Sequence, residues 1–285
     1  MQWWLMAGSV EVEHLVPIAV AAQEAGFGGI ALGDHLVFPQ QISSPYPYTS
    51  DGSIKWEPET PWPDPWVTIA AMATATTTLR FTTAVYIAPL RDPISLAKLT
   101  STASILSRGR MSCGFGTGWM SEEFELVGQQ FAQRGRRFDE MLEVLRLLWT
   151  GEMVEYHGQH YDFAPVQMSP AAFGGRIPVL LGGNTPQAME RAVRHDGWIG
   201  VHRDVDTTAE RVERLRSLRA ASARAEEPFE IATVVLRGAR AALPLQELGV
   251  DTAIIPVLGL GVGPDLASRI DAVHRFGDEM IERGP

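Results

Sequence analysis

Eight short runs rich in apolar and β-branched residues recur along these 285 residues, most of them followed by apolar side chains spaced three and four apart. Such alternation is the signature of βαβ units, and parallel strands joined by helices leave few architectures open. The strand-like runs are Trp3 to Ala7, Gly28 to Leu32, Leu79 to Ile87, Arg110 to Phe115, Ile177 to Leu181, Trp198 to Val201, Phe229 to Leu236 and Thr252 to Val257. The helical period is clearest at Phe138, Met141, Leu142, Leu145, Leu148 and Trp149, which fall at offsets 0, 3, 4, 7, 10 and 11. Helix starts are marked by Pro65, by Asp92-Pro93, by Thr185-Pro186 and by Thr207-x-x-Glu210, which has the form of a capping box. A short helix is expected near Leu243 to Leu248, and a last one that buries Leu266, Ile270, Val273, Met280 and Ile281.

Eight strands and eight helical regions predict an α/β fold, a (β/α)8 TIM barrel, with a doubly wound open sheet as the competitor. No shift in composition marks a boundary, so residues 1–285 are read as one barrel domain. Two stretches depart from the alternation. A lid-like loop from Gly33 to Asp64 follows strand 2, and a small insertion from Gly151 to Gly175, with a hairpin-like pattern, precedes strand 5.

Composition narrows the function classes. Hydrophobic residues at 45% and charged residues at 20% exclude a disordered chain. A net charge of -10 without a Lys/Arg block argues against nucleic acid or an anionic membrane as partner. The single cysteine, Cys113, rules out a disulfide framework and suits a reducing compartment. The longest apolar-leaning stretches, Trp66 to Leu79 and Thr252 to Val262, are interrupted and do not reach the roughly 18 residues of a spanning helix, and Met1 to Ala7 lacks the basic flank of a targeting peptide. A soluble, cytoplasmic protein is the expectation.

In a barrel, chemistry belongs at the C-terminal ends of the strands. Those ends carry Gly33-Asp34-His35, Tyr86 to Pro89, Gly114 to Trp119, Gly182-Gly183-Asn184 and His202-Arg203. His35 beside a carboxylate suits a proton donor or acceptor, or else a histidine serving local loop hydrogen bonds. Gly114-x-Gly116-x-Gly118 is either a tight turn or a backbone that a flat ring can approach. Gly182-Gly183-Asn184-Thr185 is either a strand-to-helix turn or a phosphate site built from backbone N–H groups. His202 and Arg203 could meet an anionic group or lie on the rim.

Other features have plainer readings. His157-x-x-His160 lacks a third ligand, so no metal is expected. Cys113 reads as a small buried strand residue, Glu122-Glu123 as charges favouring a helix dipole, and Arg134, Arg136 and Arg137 as a solvated helix flank. The aromatic content of the long loop, including Tyr46, Tyr48, Trp56 and Trp62, suits a cover over an apolar pocket. A hydrolase on the same barrel would need two strand-end carboxylates facing each other, and only Asp34 lies at such an end.

Together these residues resemble the luciferase-like monooxygenase family of flavin- and deazaflavin-dependent barrels. The resemblance is carried by Ala25-Gly26-Phe27, Gly33-Asp34-His35, Trp62-Pro63-Asp64-Pro65-Trp66, Leu90-Arg91-Asp92-Pro93, Leu106-Ser107-x-Gly109-Arg110 and Gly114-x-Gly116-x-Gly118-Trp119. It continues through Glu122-Glu123-Phe124, Arg134-Gly135-x-Arg137-x-Asp139-Glu140, Leu148-Trp149-Thr150, His157-Gly158-x-x-Tyr161, Gly182-Gly183 and Asp196-Gly197-Trp198. The glutamate pair, the Arg134-Gly135 block and the Trp-Pro-Asp-Pro-Trp loop look most like the subgroup that uses coenzyme F420.

The resemblance implies an oxidoreductase moving hydride between F420 and a small-molecule substrate, with His35 as proton donor or acceptor. Asp34 would contact the deazaflavin, Ala84 and Val85 would form a non-proline cis peptide behind its ring, and Thr117 and Gly118 would line the ring pocket. Gly182, Gly183, Asn184 and Thr185 would hold the cofactor phosphate. Some sugar-phosphate dehydrogenases of this family carry a catalytic glutamate where this chain has Trp119, so an apolar substrate is expected beside Trp119, His202 and Arg203. The alternatives are a monooxygenase using reduced FMN and oxygen, and a non-catalytic flavin- or deazaflavin-binding barrel. A homodimer is what the family implies.

Overall fold

The strand-like runs form one parallel sheet that curls into a barrel. The computed structural model describes residues 1–261 and 263–282; Val262 and residues 283–285, which the one-domain reading of 1–285 includes, lie outside the described residues. In chain order the elements are β1 (Gln2–Met6), α1 (Val12–Glu24), β2 (Gly29–Leu32), α2 (Pro65–Ala75), β3 (Arg80–Thr83), β4 (Tyr86–Ile87), α3 (Pro93–Leu106), β5 (Cys113–Gly116), α4 (Ser121–Leu126) and α5 (Arg134–Trp149). There follow β6 (Met153–His157), β7 (Asp162–Gln167), β8 (Val179–Gly182), α6 (Pro186–Ala192), β9 (Gly197–His202), α7 (Val205–Ala220), β10 (Glu230–Val235), β11 (Thr252–Pro256) and α8 (Leu266–Phe276).

The sheet order is β3-β2-β1-β11-β10-β9-β8-β5-β4. Its two ends, β3 and β4, are consecutive in the chain, and both come from the single run Leu79 to Ile87. The third strand is therefore broken in two, and chain continuity through Ala84–Val85 closes the barrel. That peptide bond is cis. Below the break the seam is also hydrogen-bonded, with Phe81 N–H donating to Arg110 O at 2.8 Å and Ser112 N–H donating to Phe81 O at 2.9 Å. The structure is thus the expected (β/α)8-type barrel, and β6 and β7 form the antiparallel hairpin inserted before β8.

Alternation along the strands sorts side chains between two layers. Trp4, Ala31, Leu180, Ile199, Ala232, Val234 and Ile254 fill the barrel interior. Neighbouring positions such as Trp3, Leu5, Ile30, Leu181, Ile231 and Ile255 point outward into the helical layer. There α5 buries the Phe138, Met141, Leu142, Leu145, Leu148 and Trp149 face that its periodicity predicted, roughly 1.5–3 kcal/mol for each large apolar side chain.

Caps at Asp64, Asp92 and Thr185 lie where the sequence places them. Two expectations are corrected. α7 begins at Val205, capped by Asp204, whose carboxylate accepts from Thr207 N–H and from Thr207 Oγ1; Thr207 lies in the first turn. An anionic cap three residues upstream meets both the orphan N–H groups and the helix dipole. The helix expected near Leu243 to Leu248 is instead a 3-10 segment, Ala239–Leu245, in which Pro244 withholds a donor from any α-helical ladder. Among the described residues no helix is long and apolar enough to cross a membrane.

Candidate active site

Barrel geometry gathers the ends of β2, β4, β5, β8 and β9 at one face. There a cavity of about 720 Å³ is lined by Asp34, His35, Ala84, Val85, Thr117, Gly118, Trp119, Gly182, Gly183, Asn184, Thr185 and Arg203, among others. Of the candidates named from strand ends or resemblance, Tyr86, Ala88, Pro89, Gly114, Phe115 and His202 do not line it. His202 is buried and turned toward α7, its Nδ1 hydrogen-bonded to Thr208 Oγ1 at 2.9 Å. Side chains at the last residues of a strand alternate, and His202 falls on the outward phase.

The cavity floor is shaped by Val85. A Cβ on Gly116 would lie 2.6 Å from Val85 Cγ2, and one on Gly182 would lie 2.6 Å from Val85 Cγ1. Only glycine at both places lets Val85 project between the two strand ends. The result is a flat apolar seat bordered by bare backbone. On its rim Asn184 Oδ1 is buried without a hydrogen-bond partner among the described residues.

The Gly33 to Asp64 loop folds back over this seat and is held by the first turn of α4. Glu122 Oε1 accepts from Ser43 N–H at 2.6 Å, from Ser43 Oγ at 2.7 Å and from Ser44 N–H at 3.1 Å. These hydrogen bonds outweigh the opposing effect of partial burial and bring the Glu122 carboxyl down to about 2. On the far side Arg203 donates to Pro47 O at 2.9 Å. So anchored, the loop brings Trp56 and Trp62 to 5.0 and 5.1 Å from the His35 ring, and Trp119 from the β5 end stands at 5.9 Å. Tyr46 packs edge-on against both Trp56 and Trp119.

His35 Nδ1 lies 3.1 Å from Glu123 Oε2, and Glu123 Oε1 accepts from Leu36 N–H at 2.6 Å. Glu123 is only 1% exposed. The reading of Glu122-Glu123 as dipole charges is therefore corrected: both carboxylates reach across to the loop. Asp34 is also buried, and both its oxygens are occupied by protein. Arg91 Nη1 donates to Oδ2 at 2.6 Å and Nη2 to Oδ1 at 2.8 Å, while Ile87 N–H donates to Oδ2 at 2.9 Å.

The arginines are corrected as well. Arg134 lines the cavity, donates from Nε to Gly118 O at 3.0 Å and lies over the Phe131 ring. Arg137 is buried and donates to Pro89 O; only Arg136 is an exposed flank residue. Arg211, not singled out from the sequence, lines the opposite wall with Arg203. Among the described residues Asp34 is the one acidic residue lining the cavity and is neutralised by Arg91, so the pocket of this acidic protein carries a local cationic excess. The signal that could have found Glu123 and Arg134 is their place in the segment that runs from the end of β5 to the first turn of α5, on the face where the loop must return.

The model of the luciferase-like monooxygenase family matches residues 2–238. The uncharacterized protein Rv0940c of Mycobacterium tuberculosis is 34% identical over 274 residues, 94% of either chain. The F420-dependent hydroxymycolic acid dehydrogenase of the same organism is 28% identical over 208 residues, 68% of this chain and 50% of that protein. Among solved structures, the monooxygenase RslO1 from Streptomyces bottropensis superposes with a TM-score of 0.78 at 20% identity, covering 99% of each chain. The glycine-flanked strand ends, the broken third strand and the match over residues 2–238 lead to one conclusion: this chain belongs to the luciferase-like monooxygenase family.

Proposed function

We propose that this chain is an oxidoreductase exchanging hydride between coenzyme F420 and a small, apolar organic substrate, with His35 giving or taking the accompanying proton. The observation that carries the proposal is the placement of His35, under an aromatic cover, in the same cavity as the glycine-bordered Val85 seat. The F420-dependent dehydrogenase relative supports the choice of cofactor. When bound, the deazaflavin supplies the hydride chemistry.

The residues present fit such a group. Val85, with Ala84, would back a flat ring, and Thr117 and Gly118 would border it. The bare turn Gly182 to Thr185 would take the phosphate on backbone N–H groups, and the unpartnered Asn184 Oδ1 is an acceptor for a ligand hydroxyl or N–H. Arg134, Arg203 and Arg211 would offset the anionic parts. Asp34, with both oxygens held, would support the ring's edge by fixing the loop through Arg91 rather than by a free carboxylate. Tyr46, Trp56, Trp62 and Trp119 would exclude water and select an apolar substrate.

The test is a fluorescence titration of the purified protein with F420 and, separately, with FMN, followed by anaerobic turnover on alcohols, carbonyls and activated alkenes. The expected outcome is saturable F420 binding and oxygen-independent turnover, with His35→Asn keeping binding and losing turnover. Tight FMN binding without an F420 response would replace this reading by reduced-FMN oxygen chemistry. F420 binding with no turnover on any substrate would make the chain a cofactor binder.

A further inference from the structure

We infer that Glu123 is a positioning residue that sets which ring nitrogen of His35 carries the proton, an assignment that rests on reading His35 as the proton-handling group. Among the described residues the Glu123 carboxylate has no Arg or Lys partner. Its two oxygens have one donor each: Leu36 N–H on Oε1 at 2.6 Å, and the imidazole on Oε2, 3.1 Å from Nδ1. A carboxylate only accepts, and a backbone N–H only donates. In neutral His35 the ring proton is therefore held on Nδ1, and Nε2, which has no protein partner among the described residues, is left to the cavity as a bare acceptor. When His35 takes a second proton, the same buried carboxylate is its counter-charge.

The other neighbours of the ring do not compete for Nδ1. Among the described residues no indole N–H of Trp56, Trp62 or Trp119 donates to the ring, Trp62 Nε1 being buried without a partner, and the nearby charged groups, Asp34 and Arg91, are engaged with each other. The peptide N–H of Leu36 is what makes the arrangement testable. In Glu123→Gln the amide oxygen must stay on Leu36 N–H, because an NH2 group there would face another donor. The amide NH2 then points at His35 Nδ1 and donates to it. The substitution keeps the shape of the side chain yet moves the imidazole proton to Nε2.

Two-bond 1H–15N correlation spectra of 15N-histidine-labelled protein, without cofactor and at about pH 8, above the usual histidine range, read this directly. The His35 signals are assigned by their loss in His35→Gln. The expected wild-type spectrum has the proton on Nδ1, Glu123→Gln reverses it, and Glu122→Gln, which loosens the loop without touching the ring, leaves it as in the wild type. A wild-type ring protonated on Nε2, or a Glu123→Gln ring still protonated on Nδ1, overturns the assignment. The wild-type spectrum decides even if the variant does not fold. With F420, Glu123→Gln is expected to lose on the order of 10²- to 10⁴-fold in kcat while KM for F420 is preserved. A reversed tautomer with kcat unchanged supports the positioning role and instead sinks proton transfer by His35.

Discussion

Asp34 and Glu123 are buried carboxylates at one barrel mouth, kept there by different means. Asp34 has a bidentate arginine; Glu123 has an imidazole and one peptide N–H. Burial pushes the Asp34 carboxyl above the usual carboxylate range, and the Arg91 charge opposes that push. Breaking a buried pair strands a charge, whereas removing both partners does not. Arg91→Met is therefore expected to cost about 3–5 kcal/mol in urea unfolding, and adding Asp34→Asn should recover part of the loss. A double variant no more stable than the single one would mean the loss is one of packing. At this scale Asp34-His35 was legible because a strand end fixes where both residues go. Glu123 was not, since its imidazole partner lies 88 residues away in the chain.

Among elements, the lower ends of α5, α6 and α7 are tied together by polar groups as well as by the shared core. Arg146 of α5 lies 2.8 Å from Nδ1 of His195, the residue that follows α6 by a short turn. Arg219 of α7 donates to the carbonyls of Val193 and His195. Arginine has no acceptor, so His195 Nδ1 must accept and the ring stays neutral. Burial first, and then the Arg146 charge, bring its pKa down to about 3 from 6.5. The unfolded chain binds the extra proton between those values, so stability falls as pH drops through that window. By about pH 4 the loss is roughly 3 kcal/mol. Chemical denaturation of His195→Gln across the same range should show a shallower acid slope than wild type; equal slopes would exonerate His195. The helices themselves were readable from their period and caps. That Thr207 is preceded by the true cap, Asp204, was open to the sequence as well, because capping is local. The break of the third strand was not legible in its run of Thr, Val and Phe, which reads as continuous.

At the level of the whole molecule, the barrel wall decides what its one thiol can do. Cys113 lies wholly buried in β5, and burial pushes its thiol well above the ordinary range. Ellman's reagent is expected to find no reactive thiol in the native protein and one per chain in guanidinium. Labelling of the folded protein at an exposed-thiol rate would contradict so closed a wall. The net charge of -10 likewise says little about the cavity, where Arg134, Arg203 and Arg211 outnumber one neutralised acid. By itself the sequence determined the alternation of strands and helices, the long loop and the hairpin insertion, because period, caps and turns act over a few residues. It also marked His35, Trp119 and the Gly182 to Thr185 turn, since strand ends in a barrel share one face. Only the tertiary structure decided that Glu123 holds His35, that Arg91 consumes Asp34, that Arg134 enters the cavity and that His202 leaves it. Those outcomes depend on which distant groups close a buried donor or acceptor, and no local pattern encodes that pairing.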